Sequence, residues 1–214
     1  MSSMVNPKIL RPHPKNQEYY SDLTGPDYDM LRRSIEVGGI RDPLWVLPDY
    51  TLIRGHQRLR IALEIGLEKV PVEVKDVSAE EAEYLMIADN EERRVDDDPI
   101  RKARRDKFIL DYWENKGSQN VTPKSAKEVA IEAGYRNKQE FYRSLKLNDL
   151  IPELQALVSA GKLGTTAAEQ LAHLTPEVQQ DLHRAMGASR KGLSREPPCK
   201  RQVVGSRPTG GSNT

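Results

Sequence analysis

Gly55 stands between the apolar pair Leu52-Ile53 and a helical pattern, and Arg58 and Arg60 follow it three and five residues on. A helix N-terminus leaves backbone N–H groups without partners, and these bind anions. A glycine lets an oxyanion come close to the backbone, and guanidinium forks match phosphate oxygens. Residues 53–62, with His56 and Gln57 inside them, therefore read as a phosphate or nucleotide pocket. An ordinary strand-to-helix turn with two surface arginines would use the same residues. A second group runs over 88–94. Asp89 and Asn90 could hold a metal ion or a nucleotide, and Arg93 could reach a phosphate. The alternative is a solvated helix face laced with i,i+4 pairs, Asp89–Arg93 and Asn90–Arg94.

A third group lies in residues 125–147. Ala130 and, four residues later, Gly134 have the spacing of a helix-turn-helix junction: a small residue lets two helices approach and the glycine makes the turn. Phe141 and Leu145 then face inward, leaving Lys138, Gln139, Tyr142, Arg143 and Lys146 outside. These are donors suited to phosphates and base edges. A generic helical hairpin with a basic solvated face is the competing reading.

The elements that must carry these groups follow from periodicity. Residues 29–37 read as a helix with Met30, Leu31 and Ile35 inward, stopped by Gly38-Gly39. Strands at 44–47 and 50–53 form a hairpin across Pro48-Asp49. Residues 56–65 form a helix burying Leu59, Ala62 and Leu63, and 70–74 a strand that Pro71 places at an edge or a strand start. From Ser78 the pattern is helical. Ser78 and Glu81 match a capping box ahead of Ala82, Leu85, Met86 and Ala88. Asp96-Asp97-Asp98-Pro99 breaks that helix. The next, 100–114, buries Ala103, Phe108, Ile109, Tyr112 and Trp113, with Arg101, Lys102, Arg104, Arg105 and Lys107 decorating it. A second capping box, Ser125 and Glu128, and a cap at Asn137 open the helix pair. Short helices at 151–160, 166–174 and 176–186 close the folded part.

The 214 residues are 30% charged and 37% hydrophobic, which suits small modules joined by charged connectors better than one large globule. Net charge is +1, but the seven basic residues from Arg184 onward face one acid, Glu196, so this stretch carries +6 and the preceding 183 residues −5. A basic tail on a mildly acidic body attracts polyanions; a solvated solubility tail is the alternative. One cysteine, Cys199, excludes an internal disulfide framework and a cysteine-rich zinc site. His13, His56, His173 and His183 share no ligand spacing, and the aspartate triplet lacks the rest of an EF-hand loop. No apolar run reaches a membrane span, so no membrane partner is expected, and the N-terminus has no secretory h-region.

Taken in order, these parts resemble the ParB partition-protein family. The resemblance rests on Leu10-Arg11-Pro12-His13-Pro14, Gly38-Gly39-Ile40, Asp42-Pro43-Leu44-Trp45-Val46, residues 52–62, Val70-Pro71-Val72, Asn90-Glu91-Glu92-Arg93-Arg94, the helix pair, and residues 154–163. It implies an α+β fold: a small mixed-sheet ParB/sulfiredoxin-like N-terminal domain (1–78), a helical connector completing a nucleotide pocket (79–117), an all-α helix-turn-helix domain (118–186) and a disordered basic tail (187–214). It also implies a cytoplasmic, nucleoid-associated, site-specific binder of double-stranded DNA. Such a protein acts in partition or mobile-element regulation, as a homodimer with a ParA-type partner, and is switched by CTP. In that family a G-E-R-R-x-R-A motif holds the triphosphate. Here Gly55, Arg58 and Arg60 match it, while His56 and Gln57 stand where the glutamate and first arginine belong, so the acid tied to CTPase activity is replaced. Asn90 and Arg93 match the family's E-N-x-x-R motif for nucleotide and Mg²⁺, with Asp89 in the glutamate's place. A ParB-like nuclease, with Asp89 and the Asp96–98 triplet as metal carboxylates, and a protein-interaction adaptor are the rival functions.

Overall fold

Burial on both faces builds the sheet. In β3 (Leu44–Val46) the outer two residues are buried and Trp45 is half-buried, and in β4 (Thr51–Arg54) Leu52 and Ile53 are both fully buried. Successive strand residues point to opposite faces, so a fully buried pair means that both faces are covered. Leu52 joins Leu10, Leu44, Val46, Val70 and Val72 on the side of α3 (His56–Glu64), where Leu59 and Ala62 pack. Ile53 joins Tyr19, Tyr20 and the α4 (Ala79–Glu91) residues Ala82, Met86 and Ile87 on the other.

The computed structural model describes residues 3–91, 98–116 and 124–192. Five strands, with β1 (Ser3–Val5), β2 (Arg11–Pro12) and β5 (Val70–Val74) completing the set, lie in the order β1-β5-β3-β4-β2. The β3–β4 hairpin is antiparallel, as is β1–β5; β3–β5 and β2–β4 are parallel. Helices α1 (Asn16–Tyr19) and α2 (Gly25–Gly38) lie between β2 and β3. Beyond the sheet come α5 (Pro99–Lys116), α6 (Ala126–Glu132), α7 (Lys138–Lys146), α8 (Pro152–Ser159), α9 (Thr165–Leu171) and α10 (Pro176–Gly192).

Helix α5 is the spine. Its first turns place Ile100 and Ala103 among Leu147, Leu150, Ile151, Leu154, Val158, Ala168 and Ala172. Phe108 and Ile109 pack against the α4 side of the sheet, and Leu110 meets Val129, Ala130 and Phe141. Residues read as a connector thus belong to three cores at once. Asp98 caps this helix, its Oδ1 accepting from the Ile100 N–H at 2.9 Å; Asp96 and Asp97 lie outside the described residues.

Several sequence expectations change. Strand β5 is interior, so of the two placements that Pro71 allows, an edge or a strand start, the second is the one adopted. The parallel β3 ladder begins only at Val72, so Pro71, second in its strand, keeps its missing N–H clear of it. In α3 Ile61 is buried and Leu63 is 44% exposed, while Leu59 and Ala62 are the residues that meet the sheet. Met30 is exposed, leaving Ile35 as the buried anchor of α2. Ala88 is exposed, and Glu83 and Ile87 are buried instead. Arg105, expected on the surface, is 3% exposed because its guanidinium donates to the Tyr19 carbonyl at 2.6 Å and lies over the Tyr20 ring. Helix α10 continues past Gly187, where the folded part was expected to end, to Gly192.

Candidate functional site

The Gly55 turn is built as its sequence requires. Strand β4 ends at Arg54, Gly55 adopts φ +100°, and α3 begins at once with no side-chain cap. The Leu59 N–H returns to the Gly55 carbonyl at 2.9 Å. A Cβ on residue 55 would overlap Leu44 Cδ2 and come within 3.2 Å of Arg58 Nη2. The turn therefore places an uncapped helix N-terminus and the Arg58 guanidinium around a backbone with no side chain. That arrangement suits a phosphate oxygen. Arg58 Nη1 donates to the Asp42 carbonyl, holding the side chain against the loop before β3.

The neighbouring motif residues point elsewhere. Gln57 is buried, with its Oε1 accepting from the Leu23 N–H at 3.2 Å and its Nε2 donating to Asp22 Oδ1 at 2.8 Å. Arg60 donates to the Leu23 carbonyl at 3.0 Å, lies 3.3 Å from Glu64 and 3.6 Å from Asp22, and covers the Tyr28 ring. His56 Nε2 accepts the His13 N–H at 3.2 Å, joining the helix start to the chain after β2. Helix α4, which bears Asp89 and Asn90 in its last turn, packs on β4, the strand leading into Gly55. Arg93 lies outside the described residues.

Sequence reasoning missed a polar cluster behind this turn. Glu83, 6% exposed, accepts from the Tyr19 hydroxyl at 2.5 Å and from Lys15 Nζ at 2.9 Å through each oxygen. Burial, and then the Glu83 carboxylate, push the Tyr19 phenol far above its ordinary range. Burial holds the His13 imidazole below its usual value against the opposing pull of Glu83. The signal available was a glutamate set inside the apolar face formed by Ala82, Met86 and Ile87.

The α6–α7 pair follows its caps. Ser125 Oγ accepts the Glu128 N–H at 3.3 Å while Glu128 accepts the Ser125 N–H at 2.7 Å, and Asn137 Oδ1 accepts the Glu140 N–H at 2.9 Å. Gly134 turns the chain at φ +79°. Val129, Ala130 and Phe141 are buried together, and the Tyr135 hydroxyl ties the pair to buried Asp106 at 2.5 Å. On the outer side of α7 Lys138, Gln139, Tyr142 and Arg143 are exposed, with Lys138 over the Tyr142 ring. Lys146 is half-buried and paired with Asp149 at 2.7 Å. The structure thus gathers four of the five expected donors on one free helical surface.

Residues 4–91 match the ParB N-terminal domain family. The chain is ParB-like. Its relatives include the chromosome-partitioning protein Spo0J of Thermus thermophilus, 31% identical over 150 residues, covering 69% of this chain and 51% of that protein. Another is the chromosome-partitioning protein ParB of Myxococcus xanthus, 29% identical over 154 residues, covering 70% and 48%. This ParB-like chain spans about half the length of the curated relatives it matches. In fold it is similar to the C-terminally truncated ParB of Caulobacter crescentus, solved in complex with the centromeric parS site. The TM-score is 0.52 at 19% identity, over 90% of this chain and 98% of that one. Among the described residues no helix is long and apolar enough to cross a membrane.

Proposed function

We propose that this ParB-like chain binds a specific duplex DNA site by seating α7 in the major groove, and that it serves in partition or in regulation of a mobile element. One observation carries the reading: α7 is divided between a fully buried Phe141 and the exposed donors Lys138, Gln139, Tyr142 and Arg143. Arginine and glutamine side chains read base edges bidentately, and lysine anchors phosphates. The Caulobacter crescentus relative bound to parS supports the same use of this fold.

A duplex site selected from a random pool by the full chain provides the test, read by fluorescence anisotropy. Arg143→Ala lowers affinity for that site by about tenfold or more and relaxes one base position. Lys138→Ala weakens selected and random DNA alike and reduces the salt slope by about one. Equal affinity of the unaltered chain for selected and random DNA at moderate salt would overturn the reading.

The Gly55 turn supports CTP as the regulating ligand. Gly55, the start of α3 and Arg58 would face the phosphates, and Asp89 and Asn90 would hold Mg²⁺. The start of α3 has no side-chain cap and lies beside the Arg58 guanidinium, which supports a phosphate there. Calorimetric titration of the full chain with CTP and Mg²⁺ tests this: Arg58→Ala abolishes binding while leaving the helical signal intact. A folded chain silent at millimolar CTP would reject it.

A further inference from the structure

Tyr135, the residue after the Gly134 turn, holds α7 to α5 through its hydroxyl. The phenol oxygen lies 2.5 Å from Asp106 Oδ2 and 2.7 Å from Ser144 Oγ. Asp106 belongs to α5 and is 2% exposed, and Ser144 belongs to α7. A phenol has one proton to give, and an ionised carboxylate only accepts. The Tyr135 proton therefore goes to Asp106, and the phenol oxygen accepts the Ser144 hydroxyl proton. The three side chains form a relay from α7 to the buried side of α5. Lys102, also on α5, grips the turn beside it. Its Nζ donates to the Ala133 carbonyl at 2.9 Å, stands 4.3 Å from the centre of the Tyr135 ring and lies 3.4 Å from Asp106.

The relay and the apolar core constrain α7 in different ways. Phe141 is fully buried with Leu110, Val129 and Ala130, and the Tyr135 ring meets it edge-on at 5.4 Å. That packing fixes how deeply α7 sits, but apolar burial is non-directional and allows some roll about the helix axis. A hydrogen bond weakens steeply away from its axis. Ser144 lies three residues past Phe141, on the same side of the helix, so its hydrogen bond resists the roll. Just beyond α7, Asn148 Nδ2 donates to the Ala103 carbonyl of α5 at 2.9 Å and fixes the other end. A roll of about 15° moves a side-chain tip roughly 6 Å from the helix axis by about 1.5 Å. That shift takes exposed Gln139 and Arg143 out of hydrogen-bond range of a base edge, whereas a lysine on its flexible stem keeps its phosphate.

We infer that Tyr135 is a positioning residue for DNA reading: through Asp106 and Ser144 it fixes the roll of α7, and so sets the choice among duplex sites more than affinity for duplex DNA as such. The inference rests on the DNA reading of α7. A residue needed only for folding lowers affinity for every duplex alike. One that fixes the roll lowers affinity for the selected site alone.

The experiment measures fluorescence anisotropy of the selected and random duplexes over a salt series with the full chain, as the unaltered protein, Tyr135→Phe, Ser144→Ala, Ser144→Thr and the double variant Tyr135→Phe/Ser144→Ala. Tyr135→Phe keeps the ring against Phe141 and Lys102 and removes only the hydroxyl. Its affinity for the selected site falls about tenfold, the loss of one bidentate base contact, while random-DNA affinity and the salt slope hold. Ser144→Ala moves in the same direction, and the double variant is no worse than Tyr135→Phe because both changes cut one relay. Ser144→Thr, which keeps the hydroxyl, retains the preference. An undiminished preference in folded Tyr135→Phe overturns the inference and leaves the proposed function standing. So does a Tyr135→Phe loss that is equal on selected and random DNA, or a Ser144→Thr variant as impaired as Ser144→Ala. If Tyr135→Phe loses its helical signal, Ser144→Ala decides, and an unchanged preference there overturns the inference. An unaltered chain with no preference overturns the DNA reading, and this inference with it.

Discussion

Replacing Gly55 with alanine tests the turn on which the anion site depends. Two costs add. Residue 55 sits at φ +100°, a region where an L side chain costs about 1–2 kcal/mol. The new Cβ also meets Leu44 Cδ2, and Leu44 is fully buried among Val46, Leu52, Leu59 and Val72, with no solvent side to move toward. Overpacking of this kind costs about 1–3 kcal/mol. The sum is about 2–5 kcal/mol, and at about 2–4 °C per kcal/mol for a chain of this size it lowers Tm by roughly 10 °C. Gly66→Ala separates the two terms. Gly66 has φ +73° with nothing within 4 Å of its added Cβ, so it carries the backbone cost alone. Urea and thermal unfolding of both variants, followed by far-UV circular dichroism, measure the difference. A Gly55→Ala loss no larger than that of Gly66→Ala would refute the argument that Leu44 closes the space over residue 55.

The polar cluster behind the turn makes further predictions. Glu83→Ala leaves the buried Tyr19 hydroxyl without its acceptor and costs about 2–4 kcal/mol in urea unfolding, with Glu83→Gln costing less because an oxygen remains. The Tyr19 phenol is raised in the folded chain, so its contribution is fully present below an unfolded pKa of about 10 and is lost as pH rises toward the folded value. Unfolding free energy of the unaltered chain therefore falls, relative to Tyr19→Phe, by up to about 1.4 kcal/mol per pH unit above that point. The His13 imidazole is lowered by burial, so its contribution is present above about pH 6.5 and lost as pH falls through the folded value. Urea midpoints at pH 7.5 and 5.0 should diverge more in the unaltered chain than in His13→Gln.

Local features of this protein are legible in its sequence because their causes lie within a few residues. Ser125 and Glu128 cap each other across three positions, Asn137 caps α7, Gly39 ends α2 at φ +67°, and the Leu44–Val46 and Thr51–Arg54 strands pair across a short turn. Their free energies are set by neighbours in the chain. The Gly55 turn and the exposed face of α7 belong to the same class.

What could not be read there concerns charges and their partners. Glu83 is buried because Tyr19 and Lys15, 64 and 68 residues away, satisfy it, and Arg105 because the Tyr19 carbonyl, 86 residues away, does. Gln57 and Arg60 have the residue types of phosphate ligands, yet packing of the Asp22–Leu23 segment against α3 gives them protein partners. A polar side chain enters a protein interior only when its hydrogen bonds are met there. Distant segments supply those bonds, so periodicity and spacing assign the residue's type while folding selects its partner.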